Sequence, residues 1–104
     1  MATTYKIEFI STFHFDVLNA VSNLDEYPQK AKRIFEKLDG KLIHLVQHPK
    51  MYPIYNDFPE FRRMVIEDYL VFYSINERES IIEIHRLING RMDVQKQLND
   101  GGSY

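Results

Sequence analysis

The chain has 104 residues, 44% of them hydrophobic, and a formal net charge of −2 at pH 7. This length predicts one domain with one modest core, and the near-neutral charge excludes nucleic-acid binding through overall charge, so an anion site needs a local basic patch. Cysteine is absent, which excludes disulfides and thiolate sites, and neither a signal peptide nor a membrane-length apolar run is present, so we expect a cytoplasmic protein.

The first half of the chain predicts a strand followed by two helices. Apolar residues alternate from Tyr5 to Phe9, which predicts a half-buried strand. Helical spacing then predicts a short helix over residues 15–25. Its predicted apolar stripe consists of Phe15, Leu18, Val21 and Leu24 or Asp25. A second helix is predicted from Pro28, because proline suits a first helical turn, and it ends before Pro49.

The second half predicts an antiparallel meander and a closing helix. A proline-rich loop over residues 49–59 is expected to pack through its aromatic side chains Tyr52, Tyr55 and Phe58. Strands are predicted at 62–66, 69–75 and 81–88, with turns at 67–68 and 76–80, and a helix at 93–98. The predicted fold is an α+β domain of order βααβββα over residues 1–98. Its antiparallel sheet carries two helices on one face, and residues 99–104 form a flexible tail.

Side-chain alternation divides the strand at 81–88 into two faces. One face carries Ile82, Ile84, Arg86 and Ile88, and the other carries Ile81, Glu83, His85 and Leu87. The first face is the more apolar, so we expect Arg86 at the rim of the core with a carboxylate partner, for which Asp93 is one possibility.

Two sets of charged residues could carry chemistry. Arg63, Glu83 and His85 on one sheet face could form an acid–base and phosphate site, or an ordinary solvated face. Lys50, Arg62, Arg63 and Arg91 could converge at one edge of the sheet to bind a phosphate backbone or an acidic protein segment, or be scattered solvated charges. No histidine has metal-ligand spacing with a partner, so neither a metal nor another cofactor is expected.

From Arg62 onward the residue order resembles the RelE/ParE family, the toxins of bacterial type II toxin–antitoxin pairs. The resemblance rests on Arg62-Arg63, on Tyr69-Leu70-Val71-Phe72-Tyr73, and on Arg86, Gly90, Arg91 and Asp93. Asn89 stands where the ParE-like branch has histidine, and Met92 where it has arginine. The RelE-like nucleases have an arginine at the position of Leu70 and a tyrosine in the closing helix, and both are missing here. The chain is therefore more similar to the ParE-like branch.

The resemblance implies a RelE/ParE-like fold and a growth-inhibiting toxin, of the kind that stabilises plasmids, that a cognate antitoxin neutralises. The target implied by the ParE-like branch is a type II topoisomerase, DNA gyrase, inhibited by binding rather than by catalysis. Two alternatives stay open: a ribosome-dependent mRNA endonuclease of the RelE kind, and a degenerate, non-toxic domain that only binds an antitoxin. Tyr69, Tyr73, Arg86, Gly90 and Asp93 are the family-motif residues.

Overall fold

A computed structural model describes residues 4–23 and 28–99 of the chain. The strands are β1 (Lys6–Phe9), β2 (Arg62–Ile66), β3 (Tyr69–Asn76) and β4 (Ile81–Asn89). The helices are α1 (Ser11–Asn23), α2 (Pro28–Leu45) and α3 (Val94–Asn99). The predicted order βααβββα is confirmed. The predicted tail lies outside the described residues, apart from Asn99, which ends α3.

The four strands form one mixed sheet in the order β1-β4-β3-β2. β2, β3 and β4 make the predicted antiparallel meander. β1 pairs with β4 in the parallel direction, with Ile7 opposite Ile82, so the sheet is not wholly antiparallel as predicted. Parallel neighbours need a long crossover, and here the connection consists of both long helices and the first two strands of the meander. The chain is a small α+β domain, and the predicted fold class is confirmed.

The two long helices pack on one face of the sheet, as predicted. They contribute Phe13, Ala20, Ile34, Leu38 and Leu45 to a buried cluster with the strands. On the opposite face Leu98 of α3 and the loop side chains Tyr55 and Phe58 pack around Phe72. Apolar surface is thus removed from water on both faces of the sheet, which is the main source of its stability. In the residues that the structure describes, no helix is long and apolar enough to cross a membrane.

Helix α1 begins at Ser11 and buries a different side from the predicted one. Its buried or half-buried apolar residues are Phe13, Val17 and Ala20. The predicted stripe is wrong for the three of its residues that the structure describes, because Phe15, Leu18 and Val21 are 48%, 65% and 48% exposed. Leu24 and Asp25 lie outside the described residues. Around the helix axis, three residues spaced three apart, such as positions 15, 18 and 21, spread over about 120°. Positions 13, 17 and 20 lie within about 60° of one another and therefore form the narrower stripe that is buried.

Strand β4 contains a β-bulge at His85. Tyr73 of β3 pairs with Ile84, and the residue before Tyr73 pairs with Arg86, so His85 is the extra residue. An extra residue reverses the side-chain alternation beyond it. The helix-covered face consequently carries Ile82, Ile84 and Leu87. Ile88 joins the cluster on the opposite face, so the predicted division of this strand into two regular faces is wrong after Ile84.

The loop between α2 and β2 packs against the sheet, as its aromatic residues predict. The ring centroids of Tyr55 and Phe72 lie 5.1 Å apart, and those of Tyr52 and Tyr73 lie 6.4 Å apart. The Tyr73 hydroxyl donates a hydrogen bond to the Pro49 carbonyl oxygen at 2.8 Å. Burial raises the pKa of Tyr73 to about 12. Tyr73 therefore anchors the start of this loop and stays protonated at neutral pH.

The turn between β2 and β3 is attached to helix α2 by ion pairs. Lys30 Nζ lies 2.9 Å from Asp68 Oδ2, and Arg33 Nε lies 2.8 Å from Glu67 Oε1. Lys37 Nζ is 3.8 Å from the same Glu67 oxygen. The hydrogen bond from Lys30 lowers the pKa of Asp68, and that from Arg33 lowers the pKa of Glu67. Both carboxylates are therefore charged at neutral pH and attach the turn between β2 and β3 to helix α2.

This attachment predicts a specific acid sensitivity. The pKa of Asp68 in the folded protein is lowered from its ordinary value of 3.8. The stability that this carboxylate contributes is therefore fully present above pH 3.8 and is lost as the pH falls through the lower pKa of the folded state. In Lys30→Met that pKa moves back toward 3.8, so the free energy of unfolding should depend less steeply on pH in the acid range. Urea unfolding at a series of pH values measures the slope. Lys32→Met is the matched control, and equal slopes for Lys30→Met and wild type would contradict the prediction.

Candidate functional site

A cavity of about 360 Å³ lies where α1, the end of β4 and the segment leading into α3 meet. It is lined by two of the predicted motif residues, Tyr69 and Arg86, together with Asp16 of α1 and Met92. Tyr73, the third motif residue on a strand, bonds the loop after α2 instead. The structure therefore brings together residues of α1, β3 and β4 that are distant in sequence.

Arg86 is buried beside this cavity and is held by a carboxylate of α1. The Arg86 side chain is 5% exposed and that of Asp16 13%. Arg86 Nε donates to Asp16 Oδ2 at 2.7 Å, and Nη2 donates to Oδ1 at 3.2 Å. Arg86 Nη1 donates to the Gln97 carbonyl oxygen at 2.6 Å, and the Leu87 N–H donates to Asp16 Oδ2 at 3.0 Å. Because the buried charge is paired and bonded on several sides, it links α1, β4 and α3.

Asp93, predicted as a possible partner of Arg86, has a different role. Its Oδ1 accepts a hydrogen bond from the Lys96 N–H at 3.1 Å. Asp93 directly precedes α3, and an aspartate in this position caps the free N–H groups at a helix start. The prediction of this partner is wrong because Asp16, on a helix far away in sequence, occupies the position beside the guanidinium.

The turn over residues 89–92 is held by hydrogen bonds from its backbone N–H groups. The Asn89 side-chain oxygen accepts a hydrogen bond from the Arg91 N–H at 2.9 Å, and the Gly90 N–H donates to the Asp68 carbonyl oxygen at 2.8 Å. A Cβ at Gly90 would lie 3.3 Å from that Asp68 oxygen, so a larger residue would crowd the contact. Met92 is 52% exposed and Arg91 is also exposed. The turn therefore presents an apolar and a cationic side chain from a rigid backbone.

Two of the four predicted target-binding cations lie together near the start of β2. Arg62 Nη1 donates to the Tyr52 carbonyl oxygen at 2.7 Å and to the Lys50 carbonyl oxygen at 3.3 Å. Lys50 Nζ lies 2.8 Å from Glu77 Oε1, and the pKa of Glu77 is lowered mainly by this hydrogen bond. Both cations are therefore engaged within the domain.

The other two predicted cations lie elsewhere. The Arg63 guanidinium lies 5.8 Å from the centroid of the Tyr55 ring, a cation–π distance. Arg91 is near the turn at the far end of β2, where its charge helps to lower the pKa of Asp68. Of the two alternatives left open for Lys50, Arg62, Arg63 and Arg91, convergence at one edge of the sheet is therefore not what the structure shows, because β2 separates Arg62 from Arg91 by its full length.

The predicted acid–base set is only partly assembled. His85 Nε2 lies 2.8 Å from Ser74 Oγ, and the rings of His85 and Phe61 are 5.0 Å apart. Burial lowers the pKa of His85, and the nearby charge of Glu83 partly opposes that shift. The Arg63 guanidinium lies over the Tyr55 ring instead of beside Glu83 and His85. Within residues 4–23 and 28–99, no group of three or more His, Asp or Glu residues is placed to hold a metal ion.

Sequence reasoning missed two polar residues of the site, Asp16 and Ser74. Asp16 had a signal in the sequence: with the helix starting at Ser11, it falls between Phe13 and Val17 on the buried side, where a carboxylate needs a partner. Ser74 had none, since its contact with His85 depends on the pairing of β3 with β4, in which Ser74 lies opposite Glu83.

Comparison with known proteins identifies the family. The family model of the ParE toxin of the type II toxin–antitoxin system parDE matches residues 15–94, which include Asp16, Arg86 and the turn over residues 89–92. Among curated protein sequences nothing matches the chain.

Two solved structures have a similar fold. The RelBE2 toxin–antitoxin complex from Mycobacterium tuberculosis superposes with a TM-score of 0.60 at 17% identity, covering 83% of this chain and 98% of that one. A mutant of the Escherichia coli toxin RelE in the free state superposes with a TM-score of 0.61 at 12% identity, covering 90% of this chain and 92% of that one. At such identities the likeness is one of fold. Because the ParE model matches more than half of its residues, the chain belongs to the ParE family of toxins of type II toxin–antitoxin systems.

Proposed function

We propose that this chain is a cytoplasmic toxin that inhibits a type II topoisomerase, DNA gyrase, by binding to it, and that a cognate antitoxin neutralises it. The observation that carries the proposal is the ParE-family match over residues 15–94. The buried pair of Arg86 and Asp16 lies within the matched residues and lines the cavity, to which Asn89 and Met92 of the neighbouring turn also contribute.

The arrangement of charged groups supports binding rather than RNA cleavage. Cleavage through a ribose hydroxyl needs a general base, a general acid and cations converging on one phosphate. Here His85 is bonded to Ser74, and Arg63 lies over Tyr55. Arg62 and Arg91 lie at opposite ends of β2. No constellation suited to a phosphorane is assembled in the part of the chain that the structure describes.

The turn over residues 89–92 is the surface best suited to contact the target. Arginine and methionine are enriched at the centres of protein interfaces, and Arg91 and Met92 are exposed side by side. Hydrogen bonds from Gly90 and to Asn89 already order their backbone, so little conformational entropy would be lost on binding.

The outer side of α1 supports a second protein partner. Leu18 and Val21 are 65% and 48% exposed although both are apolar. Residues three apart are neighbours on a helix surface, so Leu18 and Val21 form part of one apolar patch, and such patches mark interaction sites. The solved RelBE2 structure is a toxin–antitoxin complex, which supports an antitoxin as the partner of this chain.

A supercoiling assay with purified gyrase and relaxed plasmid tests the proposal. The wild-type chain should inhibit supercoiling, and Arg91→Glu should raise the inhibitory concentration by about tenfold or more, as loss of an interface anchor does. Arg78→Glu, also exposed but in the turn between β3 and β4, is the matched control and should inhibit like wild type. Undiminished supercoiling with excess folded wild-type protein would reject the gyrase target. Cleavage of mRNA in a purified translation reaction would then establish the endonuclease alternative.

A further inference from the structure

We propose that Lys30 of helix α2 is a positioning residue for Arg91. By occupying the Asp68 carboxylate, Lys30 prevents the Arg91 guanidinium from pairing with it and so leaves that cation exposed for the target. This role rests on the proposed function, in which Arg91 contacts gyrase. It extends that function by naming a residue on another element that decides whether Arg91 is available.

The backbone places the turn over residues 89–92 beside Asp68. The Gly90 N–H donates to the Asp68 carbonyl oxygen at 2.8 Å. Arg91 directly follows Gly90, and its charge contributes to the lowered pKa of Asp68. The guanidinium is therefore within electrostatic reach of the carboxylate. Among the described residues, however, Arg91 forms no ion pair with Asp68, whose bonded cation is Lys30.

Lys30 is the main counter-charge of the Asp68 carboxylate. Its Nζ donates to Asp68 Oδ2 at 2.9 Å, and the two side chains are 33% and 27% exposed. The other carboxylate oxygen, Oδ1, is buried and accepts no side-chain hydrogen bond among the described residues. Because water reaches this carboxylate only in part, the loss of its bonded cation would leave a strong attraction for another one.

Arg91 is the cation that would replace Lys30. The other acidic residue of the turn, Glu67, already engages Arg33 at 2.8 Å and Lys37 at 3.8 Å. The Arg91 side chain is exposed, and a guanidinium can bind a carboxylate through two parallel N–H groups. Such a pair would hold Arg91 against the turn between β2 and β3 and withdraw it from the surface that contacts the target.

Inhibition of gyrase supercoiling measures whether Arg91 is available. Lys30→Met should raise the inhibitory concentration by about threefold or more, because an interface cation is lost to Asp68. Lys30→Arg, which keeps the positive charge, should inhibit like wild type. Asp68→Asn added to Lys30→Met should restore inhibition to within about twofold of wild type, since a neutral amide does not capture a guanidinium. Residue 68 keeps the carbonyl oxygen that Gly90 bonds in that variant.

The double variant separates this role from a merely structural one. If Lys30 and Asp68 only stabilised the fold, the second substitution would leave the damage of the first in place. Lys32→Met is the matched control and should leave inhibition unchanged, because its Nζ lies 3.9 Å from an oxygen of Glu36 in an exposed pair. Circular dichroism checks that each variant folds, and Lys30→Gln replaces Lys30→Met if the latter does not. A folded Lys30→Met that inhibits like wild type, or a double variant no better than it, would overturn the proposal.

The pKa of Asp68, measured by NMR titration of its carboxyl carbon, tests the same competition without gyrase. Arg91→Gln should raise this pKa more in the Lys30→Met background than in wild type, because only there does Arg91 bind the carboxylate. Equal rises in both backgrounds would overturn the positioning role of Lys30 and leave gyrase inhibition intact. Failure of the wild-type chain to inhibit gyrase would instead overturn the proposed function, and with it the purpose of keeping Arg91 exposed.

Discussion

Replacing Asp16 by alanine is expected to lower the free energy of unfolding by about 3–5 kcal/mol, because it leaves the buried guanidinium of Arg86 without its counter-charge. Arg86 is 5% exposed, and its Nε lies 2.7 Å from Asp16 Oδ2. The loss should include the bond from the Leu87 N–H, which the same oxygen accepts at 3.0 Å. Urea unfolding followed by circular dichroism measures the change.

A double variant distinguishes lost charge pairing from simple damage to α1. Asp16→Ala combined with Arg86→Met should recover much of the lost stability, since well-packed apolar groups often replace a buried ion pair at little net cost. Asp39→Ala, which removes an exposed carboxylate from α2, serves as the control and should shift stability by less than about 0.5 kcal/mol. If Asp16→Ala behaved like this control, the pair would have no structural role.

Phe72→Ala is expected to cost about 3–5 kcal/mol, the range for removing a fully buried aromatic ring. Phe72 is 0% exposed, and its ring lies 5.1 Å from that of Tyr55 and 6.3 Å from that of Phe61. Its removal should therefore loosen the loop after α2, which packs on this face, more than the helix-covered face. Faster amide exchange at Tyr55, whose N–H donates to the Phe61 carbonyl oxygen, reports that local effect.

Ile43→Ala is the control for this truncation, because Ile43 is equally apolar but 65% exposed. It should change the free energy of unfolding by less than about 0.5 kcal/mol. A cost below about 1 kcal/mol for Phe72→Ala, or equal loosening of both faces, would contradict a separate core cluster on the loop side of the sheet.

The strands were largely predictable because their signals are local. The observed bounds of β2, Arg62–Ile66, agree with the prediction, since a short apolar run, Met64 to Ile66, ends at the turn residues Glu67-Asp68. The start of α2 at Pro28 follows from the preference of proline for a first helical turn. The parallel pairing of β1 with β4 was not predictable from such signals, because it depends on how the whole chain returns.

The site was less predictable because its contacts join distant segments. That Arg86 needs a counter-charge follows from its apolar neighbours, but Asp16 lies 70 residues away and was found only in the folded chain. The bulge at His85 has no sequence signature, yet it decides which side chains of β4 face the helices. The possible cluster of cations does not form for a similar reason: the length of β2 separates Arg62 from Arg91.

Pulse-labelling of bacteria after sudden induction of this chain without an antitoxin tests the central claim most directly. Thymidine and amino-acid incorporation are followed in parallel, with Arg91→Glu as the comparison. A toxin that inhibits gyrase should stop thymidine incorporation first while protein synthesis continues, and Arg91→Glu should delay that arrest. Arrest of amino-acid incorporation first would contradict the account and identify a toxin directed at translation. Unchanged growth with soluble, folded protein would show that the chain is not a toxin.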